Sequence, residues 1–153
     1  MSGKIYQDTK TIAMHRAARL IGGSTTFGDP IDTRGWDSAK IVLNVGYVGL
    51  NPTDGVSGAG TVSAILYENS DHTGGGNAAA GFIPVTGGNF GLISSGTLDN
   101  QVLVGAIECK NYKRYLALAI MNGKAATIGI AATIELGKGD SLPGGNTATF
   151  DLA

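Results

Sequence analysis

The chain has 153 residues, of which 42% are hydrophobic and only 15% are charged, and its formal net charge at pH 7 is −1. This length predicts a single domain that buries a core of its own. The composition excludes a disordered chain, and the balanced charge argues against a nucleic-acid partner, because binding to a phosphate backbone depends on a basic face.

The N-terminal residues 1–12 are predicted to form an extended arm. The stretch MSGKIYQDTK is polar with one aromatic residue, and Lys4, Tyr6 and Lys10 are its candidates for contacting a neighbouring subunit. It contains no apolar run of signal-peptide length, and no segment of the chain approaches the roughly 20 apolar residues of a membrane span. We therefore expect synthesis in a cytoplasm and no membrane partner. The following TIAMHRAARL has no clean apolar stripe at helical spacing, which favours a strand or extended arm ending in RLI.

Alternation of apolar and polar residues, the pattern of a half-buried strand, recurs through the chain. It is clearest in ATIGIAATIEL, where one face is aliphatic and the other is small and polar, which suits exposure or the close approach of another surface. KIVLNVGYVGL, TVSAILY and RYLALAIM alternate in the same way. QVLVGAIEC is apolar on both faces, as in a central strand.

Turn residues separate these segments. Asn122-Gly123 is the strongest short hairpin signal and predicts an antiparallel hairpin between residues 114–121 and 125–136. LYENSDHTGGGNAAAGFIPV predicts a strand, a long hairpin loop and a returning strand. Short strands with turns at intervals of about ten residues predict an all-β fold. We expect a single-domain β-sandwich of jelly-roll type, with about eight strands over residues 13–136.

The C-terminal residues 137–153 are predicted to form a second arm. Turn residues follow Leu136 until Phe150 and Leu152. A detached tail cannot bury these side chains locally, so Phe150 is a candidate for contacting a neighbouring subunit, with a frayed end as the alternative.

Catalytic and metal-binding signals are weak. Glu68, Asp71 and His72 lie close together, but they lack the spacing of a known metal motif and suit a turn. The chain has two histidines, His15 and His72, and one cysteine, Cys109, and it contains neither a Gly-x-Ser-x-Gly sequence nor a phosphate-binding loop. We therefore predict no catalytic residue, no metal site, no cofactor and no enzymatic activity. Cys109 is expected to be a buried or half-buried thiol.

The aromatic residues have two interpretations, packing within the fold and binding a ligand. Trp36, the only tryptophan, either packs over the end of the sandwich, which is the preferred interpretation, or stacks on a sugar together with Tyr47. The densest basic stretch, KNYKRY, is a weak nucleic-acid signal, and a solvated turn is preferred.

Between residues 31 and 136, the order of segments resembles small tailed-phage head proteins of the capsid decoration, or cement, type. The resemblance rests on four short segments. They are the turn that opens one strand, the end of a following strand, a short strand after it, and the start of a strand late in the chain. The matching residues are Gly35, Trp36, Asp37 and Ser38; Leu66, Ser70 and Asp71; Phe82 and Val85; and Lys113, Arg114, Tyr115 and Leu116. The loop in LYENSDHTGGGNAAAGF is longer than in that pattern.

The resemblance implies a structural virion protein that is made in the bacterial host cytoplasm and located on the capsid exterior. Such proteins bind across neighbouring major capsid subunits, commonly as trimers, and reinforce the shell. It implies a homotrimer here, with the major capsid protein as partner. The alternative hypothesis is a carbohydrate-binding β-sandwich module, displayed on a virion or elsewhere, with Trp36 and Tyr47 in its site.

Overall fold

The computed structural model describes residues 9–21, 23, 25–50, 61–71, 81–94, 98–123, 126–138 and 150–152. These residues form ten strands and one short 3-10 turn, Cys109–Asn111. The strands are β1 (Thr9–Ile21), β2 (Thr25–Phe27), β3 (Ile31–Asp32), β4 (Ser38–Leu50), β5 (Thr61–Asn69), β6 (Ile83–Ser94), β7 (Gln101–Glu108), β8 (Tyr115–Asn122), β9 (Ala126–Gly137) and β10 (Phe150–Leu152).

The strands form two sheets that pack face to face. The first sheet has the order β1-β9-β4-β7-β10, and the second has the order β2-β8-β5-β6, with β3 also paired to β8. All described pairs are antiparallel except β10 with β7. With β2 and β3 counted as halves of one strand, the strands from β1 to β9 interleave as in an eight-stranded jelly roll. The predicted all-β sandwich fold is confirmed.

The core lies between the sheets because every long strand directs one apolar face inward. Ile41 and Ile134 of the first sheet and Leu66 and Leu118 of the second have no solvent-exposed surface. Burying an aliphatic side chain of this size stabilises the fold by about 1.5–3 kcal/mol relative to its exposure. The two-residue alternation recognised in the sequence is therefore the pattern that closes the sandwich.

The predicted Asn122-Gly123 hairpin is wrong. Strand β8 belongs to the second sheet and β9 to the first, so the chain crosses between the sheets here. The Gly123 N–H donates to the carbonyl of Thr61 at 2.9 Å. The Asn-Gly signal describes only a local turn, whereas the aliphatic faces of both strands have to meet across the core, and this burial decides the topology.

The other predicted connections hold. Strands β5 and β6 form the expected antiparallel hairpin, with Tyr67 opposite Pro84, and residues 72–80 lie outside the described part. Strand β7 lies inside the first sheet, between β4 and β10, as its two apolar faces predict. Residues 9–21 form a strand rather than a helix.

The ends of the described chain lie in the first sheet. Strand β1 begins at Thr9, which is opposite Gly137, so residues 9–12 of the predicted arm are sheet residues. Residues 1–8 lie outside the described part. At the other end, β10 pairs with β7 of the same chain, and Leu152 packs against the core. The expectation that this tail cannot bury its apolar residues locally is wrong for Leu152, because the edge of β7 accepts it as an added strand.

Candidate functional site

The outer face of the first sheet consists mainly of small, uncharged side chains. On β9, Gly129, Ala131 and Thr133 face away from the core and alternate with buried aliphatic residues. The register places Asn44 of β4 opposite Ala131 on one side and Val102 of β7 on the other. Because short side chains protrude little, this face is flat enough for another surface to approach closely.

An open depression of about 550 Å³ lies on this face, near the middle of β4. It forms where β1 and β4 depart from regular pairing with β9, between Ala13 and Ala18 in β1 and between Val45 and Val48 in β4. Its lining residues are Ala17, Ala18, Arg19, Asn44, Val45, Gly46, Gly129, Ile130 and Ala131.

Two glycines shape the depression in different ways. A Cβ built at Gly129 would meet no atom within 4 Å, so the missing side chain leaves open space in the floor. A Cβ built at Gly46 would lie 3.0 Å from the carbonyl oxygen of Gly129, so that glycine lets the irregular β4 backbone approach β9 closely. The floor is therefore backbone and methyl groups.

The surroundings of the depression carry larger groups. Tyr47 is 64% exposed and Val102 is 56% exposed, and the Tyr47 ring lies beside Gly49, where a Cβ would be 3.3 Å from its Cε1 atom. The side chains of Arg19 and Asn44 are also exposed. The flat floor is thus surrounded by one aromatic ring, one aliphatic side chain and one guanidinium. Aromatic residues and arginine are enriched in protein interfaces, and an aliphatic side chain is compatible with the centre of an interface.

Among the predicted arm contacts, the described Lys10 does not line this depression. Lys4 and Tyr6 fall outside the described residues. Lys10 is exposed on β1 but lies opposite Leu136, at the far end of the sheet from Arg19. Phe150 lies in β10 opposite Gly105, and its side chain is outside the description.

The structure does not bring Trp36 and Tyr47 together. Trp36 precedes β4 and packs against the core, with the Lys138 Nζ atom 5.9 Å from its ring centroid. Tyr47 lies near the other end of β4, and the nine residue steps from Ser38 to Tyr47 alone span about 30 Å at about 3.3 Å per strand residue. The two aromatic residues therefore cannot stack on one sugar ring.

Glu68 and the turn that follows β5 make hydrogen bonds within the fold. The Glu68 carboxylate accepts a hydrogen bond of 2.8 Å from the Lys113 backbone N–H. The side-chain Oδ1 atom of Asn69 accepts one of 3.2 Å from the Asp71 backbone N–H, a turn contact. His72 lies outside the described residues. Within the described ranges, no group of three or more His, Cys, Asp and Glu side chains is placed to hold a metal ion.

Cys109 is a buried thiol, as expected, with 6% of its surface exposed. Burial, reinforced by the nearby Asp37 carboxylate, raises the pKa of this thiol to about 11. Because the thiolate is the reactive form, Cys109 is unsuited to nucleophilic chemistry at neutral pH.

The basic stretch KNYKRY is engaged within the chain. Lys110 lies 3.0 Å from a carboxylate oxygen of Glu108, and Arg114 pairs with Asp32 at 2.7 Å. The Arg114 guanidinium also lies 4.7 Å from the ring centroid of Tyr115. The stretch forms the end of the 3-10 turn Cys109–Asn111 and the bend before β8, so it is a turn, as in the preferred interpretation.

Sequence reasoning missed most residues of the depression. The small second face of ATIGIAATIEL indicated that a surface could approach β9, but Arg19, Asn44 and Val102 come from three other strands. Their meeting depends on register and on the β-bulges, which no local pattern in the sequence specifies.

No known protein-family model matches this chain, and no curated protein matches its sequence. Among the residues that the structure describes, no helix has the length and apolar character needed to traverse a bilayer.

Proposed function

We propose that this chain is a structural virion protein that decorates and stabilises a tailed-phage capsid. In this proposal, the outer face of the first sheet lies on neighbouring major capsid subunits. The observation that carries the proposal is this flat, small-residue face with exposed Tyr47 and Val102 beside its depression. The sequence resemblance to decoration proteins supplies the partner, and the jelly-roll fold provides a rigid support.

The size of the face suits a specific interface. Strands β1, β9, β4 and β7, spaced about 4.8 Å apart and rising about 3.3 Å per residue, cover about 700 Å². Each partner in a standard protein interface contributes about 800 Å². The surface is therefore large enough for specific binding without a ligand pocket.

The chemistry of the face suits close packing. Gly, Ala and Thr lose little side-chain entropy when another surface orders them. Lys40 and Glu135 lie opposite each other at the end away from the depression, whereas Arg19 lines the depression itself. Arginine is enriched in protein interfaces, whereas Lys, Glu and Asp are depleted, which is the distribution between the depression and the end that carries Lys40 and Glu135.

Adhesion alone is sufficient for such a function. A protein that binds the assembled shell and not the free subunits stabilises assembly by mass action, by about 2.7 kcal/mol per site at a free concentration of 100 times Kd. Binding across subunit boundaries gives this preference, since the site exists only in the shell. Location on the capsid exterior and assembly as a homotrimer belong to this proposal.

Variants at the depression test the proposed face. We expect Val102→Lys and Gly129→Gln to weaken co-sedimentation with empty shells of the major capsid protein from the same genome, because they introduce bulk and charge on the contact surface. The control is Thr25→Lys, since Thr25 is exposed on β2 of the second sheet. Unchanged binding of both face variants would contradict the proposed orientation.

The second candidate function, a carbohydrate-binding module, is favoured by a different set of rings. On the second sheet, Phe27 and Tyr67 pack edge to face with centroids 5.3 Å apart, and Tyr115 is part of the same cluster around Phe82 and Ala117. Partly exposed rings on a sheet can stack on sugars. A glycan array tests this candidate: saccharide binding that Tyr67→Ala removes would favour it, and no binding to any glycan would count against it.

A further inference from the structure

The C-terminal strand is a small added element at the edge of the first sheet. Its three residues pair in parallel with Gly105–Ile107 of β7. The Leu152 side chain is partly buried against the core and reaches β6, where a Cβ built at Gly87 would be 3.0 Å from its Cδ2 atom. Gly87 also has a φ of +80°, which favours glycine. We call the β7 edge together with Gly87 the tail socket.

The connection to this strand is much longer than the distance it has to cover. Gly137 and Glu108 both lie opposite Ser38, at the same end of the first sheet. Phe150 lies opposite Gly105, three residues back along β7 and three strand positions from β9. These offsets place Gly137 and Phe150 about 17 Å apart. The thirteen residue steps from Gly137 to Phe150 can reach about 45 Å, far enough for the socket of an adjacent molecule.

Strand β6 carries an exposed apolar side chain before Gly87 in the sequence and another after it. Ile83 is 46% exposed and Leu92 is 57% exposed. The strand has no charged residue from Ile83 to Ser94, and it is the last strand of the second sheet. Pro84 and the irregular register with β5 disfavour the pairing of a further strand with this edge. No charged side chain of β6 covers the exposed Ile83 and Leu92, so packing of another chain's side chains is what would cover them.

We propose that β10 is exchanged between copies of this chain. The C-terminal strand of one copy occupies the tail socket of its neighbour, while the β6 edges of the associated copies cover Ile83 and Leu92. The exchanged strand makes the same backbone and Leu152 contacts as in the single chain. The gain comes from the β6 surface that association buries. This proposal does not rest on capsid binding, and it concerns the purified protein alone.

Association of the β6 edges removes the advantage that docking within one chain has in dilute solution. A tail on a short connection has a local concentration in the millimolar range at its own socket, so contacts that are merely equivalent do not drive exchange in dilute solution. Apolar β6 contacts hold copies side by side and raise the concentration of the neighbouring socket to the same range. Swapping of a terminal element then costs little.

Disulfide trapping between two variants tests the exchange. Asp151 lies opposite Ala106 in the parallel register, at the Cα spacing of about 4.8 Å that a disulfide accepts. One chain carries Ala106→Cys and the other Asp151→Cys, both with Cys109→Ser. The two chains are co-expressed, purified together and oxidised. The matched control is one chain that carries both cysteines.

We expect disulfide-linked dimers that contain one chain of each type, and no such dimers when either single variant is oxidised alone. If the mixture stays unlinked while the double variant closes its disulfide within one chain, the tail docks only on its own molecule and the proposal is overturned. If neither preparation closes the disulfide, β10 does not occupy the socket at this register, which also overturns it.

A pair of surface variants separates this inference from the capsid proposal. Leu92 and Val102 have nearly equal exposure, 57% and 56%, on different sheets. We expect Leu92→Lys to convert the oligomer to monomer in light scattering and Val102→Lys to leave its mass unchanged. An oligomer that survives both Leu92→Lys and deletion of residues 150–152 would contradict the exchange, whatever the result of the shell-binding assay.

Discussion

Asp32 and Arg114 form a two-point ion pair that fastens β3 to β8. The Nη2 atom of Arg114 donates to one carboxylate oxygen of Asp32 at 2.7 Å, and its Nε atom donates to the other at 3.0 Å. Thr33 adds a hydrogen bond of 2.8 Å from its hydroxyl to the carbonyl of Arg114. The hydrogen bond from Arg114, with a further one from the Arg34 backbone N–H, lowers the pKa of Asp32 to about 2 despite its partial burial.

The lowered pKa of Asp32 predicts a loss of stability in acid. The ionised carboxylate stabilises the fold above the unfolded-state pKa of 3.8, and this contribution disappears as the pH falls through about 2. Both side chains are more than one third exposed, so solvent screening keeps the contribution small. We expect Asp32→Asn to lower the free energy of unfolding at pH 7, and the difference from the native protein to shrink towards zero near pH 2.

Urea unfolding at pH 7, 5, 3 and 2 measures this difference. Asp29→Asn is the control, because Asp29 is 70% exposed and meets Arg16 only at 3.8 Å. A constant difference between the native protein and Asp32→Asn at all four pH values would contradict the predicted linkage.

Gly28 and Gly129 are expected to differ in how well the fold tolerates their substitution by alanine. A Cβ at Gly28 would collide with the backbone carbonyl oxygen of Met14, whereas a Cβ at Gly129 would enter open space. Because backbone atoms cannot move aside cheaply, we expect Gly28→Ala to reduce the free energy of unfolding by about 1–3 kcal/mol. Gly129→Ala should change it by no more than about 0.5 kcal/mol. Thermal unfolding of the two variants compares them directly, and equal losses would show that the close approach at Gly28 is absent.

The burial of Cys109 predicts an inert thiol. Its exposed fraction of 6% and its pKa of about 11 leave little accessible thiolate near pH 8. We expect labelling by a chromogenic disulfide reagent at pH 8 to be at least about 100-fold slower in the folded protein than in denaturant. Labelling at the same rate in both conditions would mean that the 3-10 turn Cys109–Asn111 is open in the native state.

The fold class followed from patterns that act over a few residues. Alternating side chains in KIVLNVGYVGL and ATIGIAATIEL predicted half-buried strands, and the structure buries their aliphatic faces. The hairpin at Asn122-Gly123 failed because a turn signal does not specify which sheet receives the next strand. That choice depends on burial across the core, which involves residues far apart in the sequence.

The candidate site was predictable only in part. The small outer face of β9 pointed to an approachable surface, whereas the positions of Arg19, Asn44 and Val102 depend on the register with β1, β4 and β7. Trp36 and Tyr47 are separated by the length of β4, because Trp36 precedes this extended strand and Tyr47 lies near its other end. Placement of the tail on β7 depends on a parallel pairing between distant segments, for which no local signal exists.

The most direct measurement compares binding of the native protein to assembled shells and to unassembled subunits of the major capsid protein from the same genome. We predict saturable co-sedimentation with empty shells and no complex with free subunits, because the proposed site spans neighbouring subunits. Absence of binding to shells, or equal affinity for free subunits, would contradict the proposal that this chain decorates a capsid.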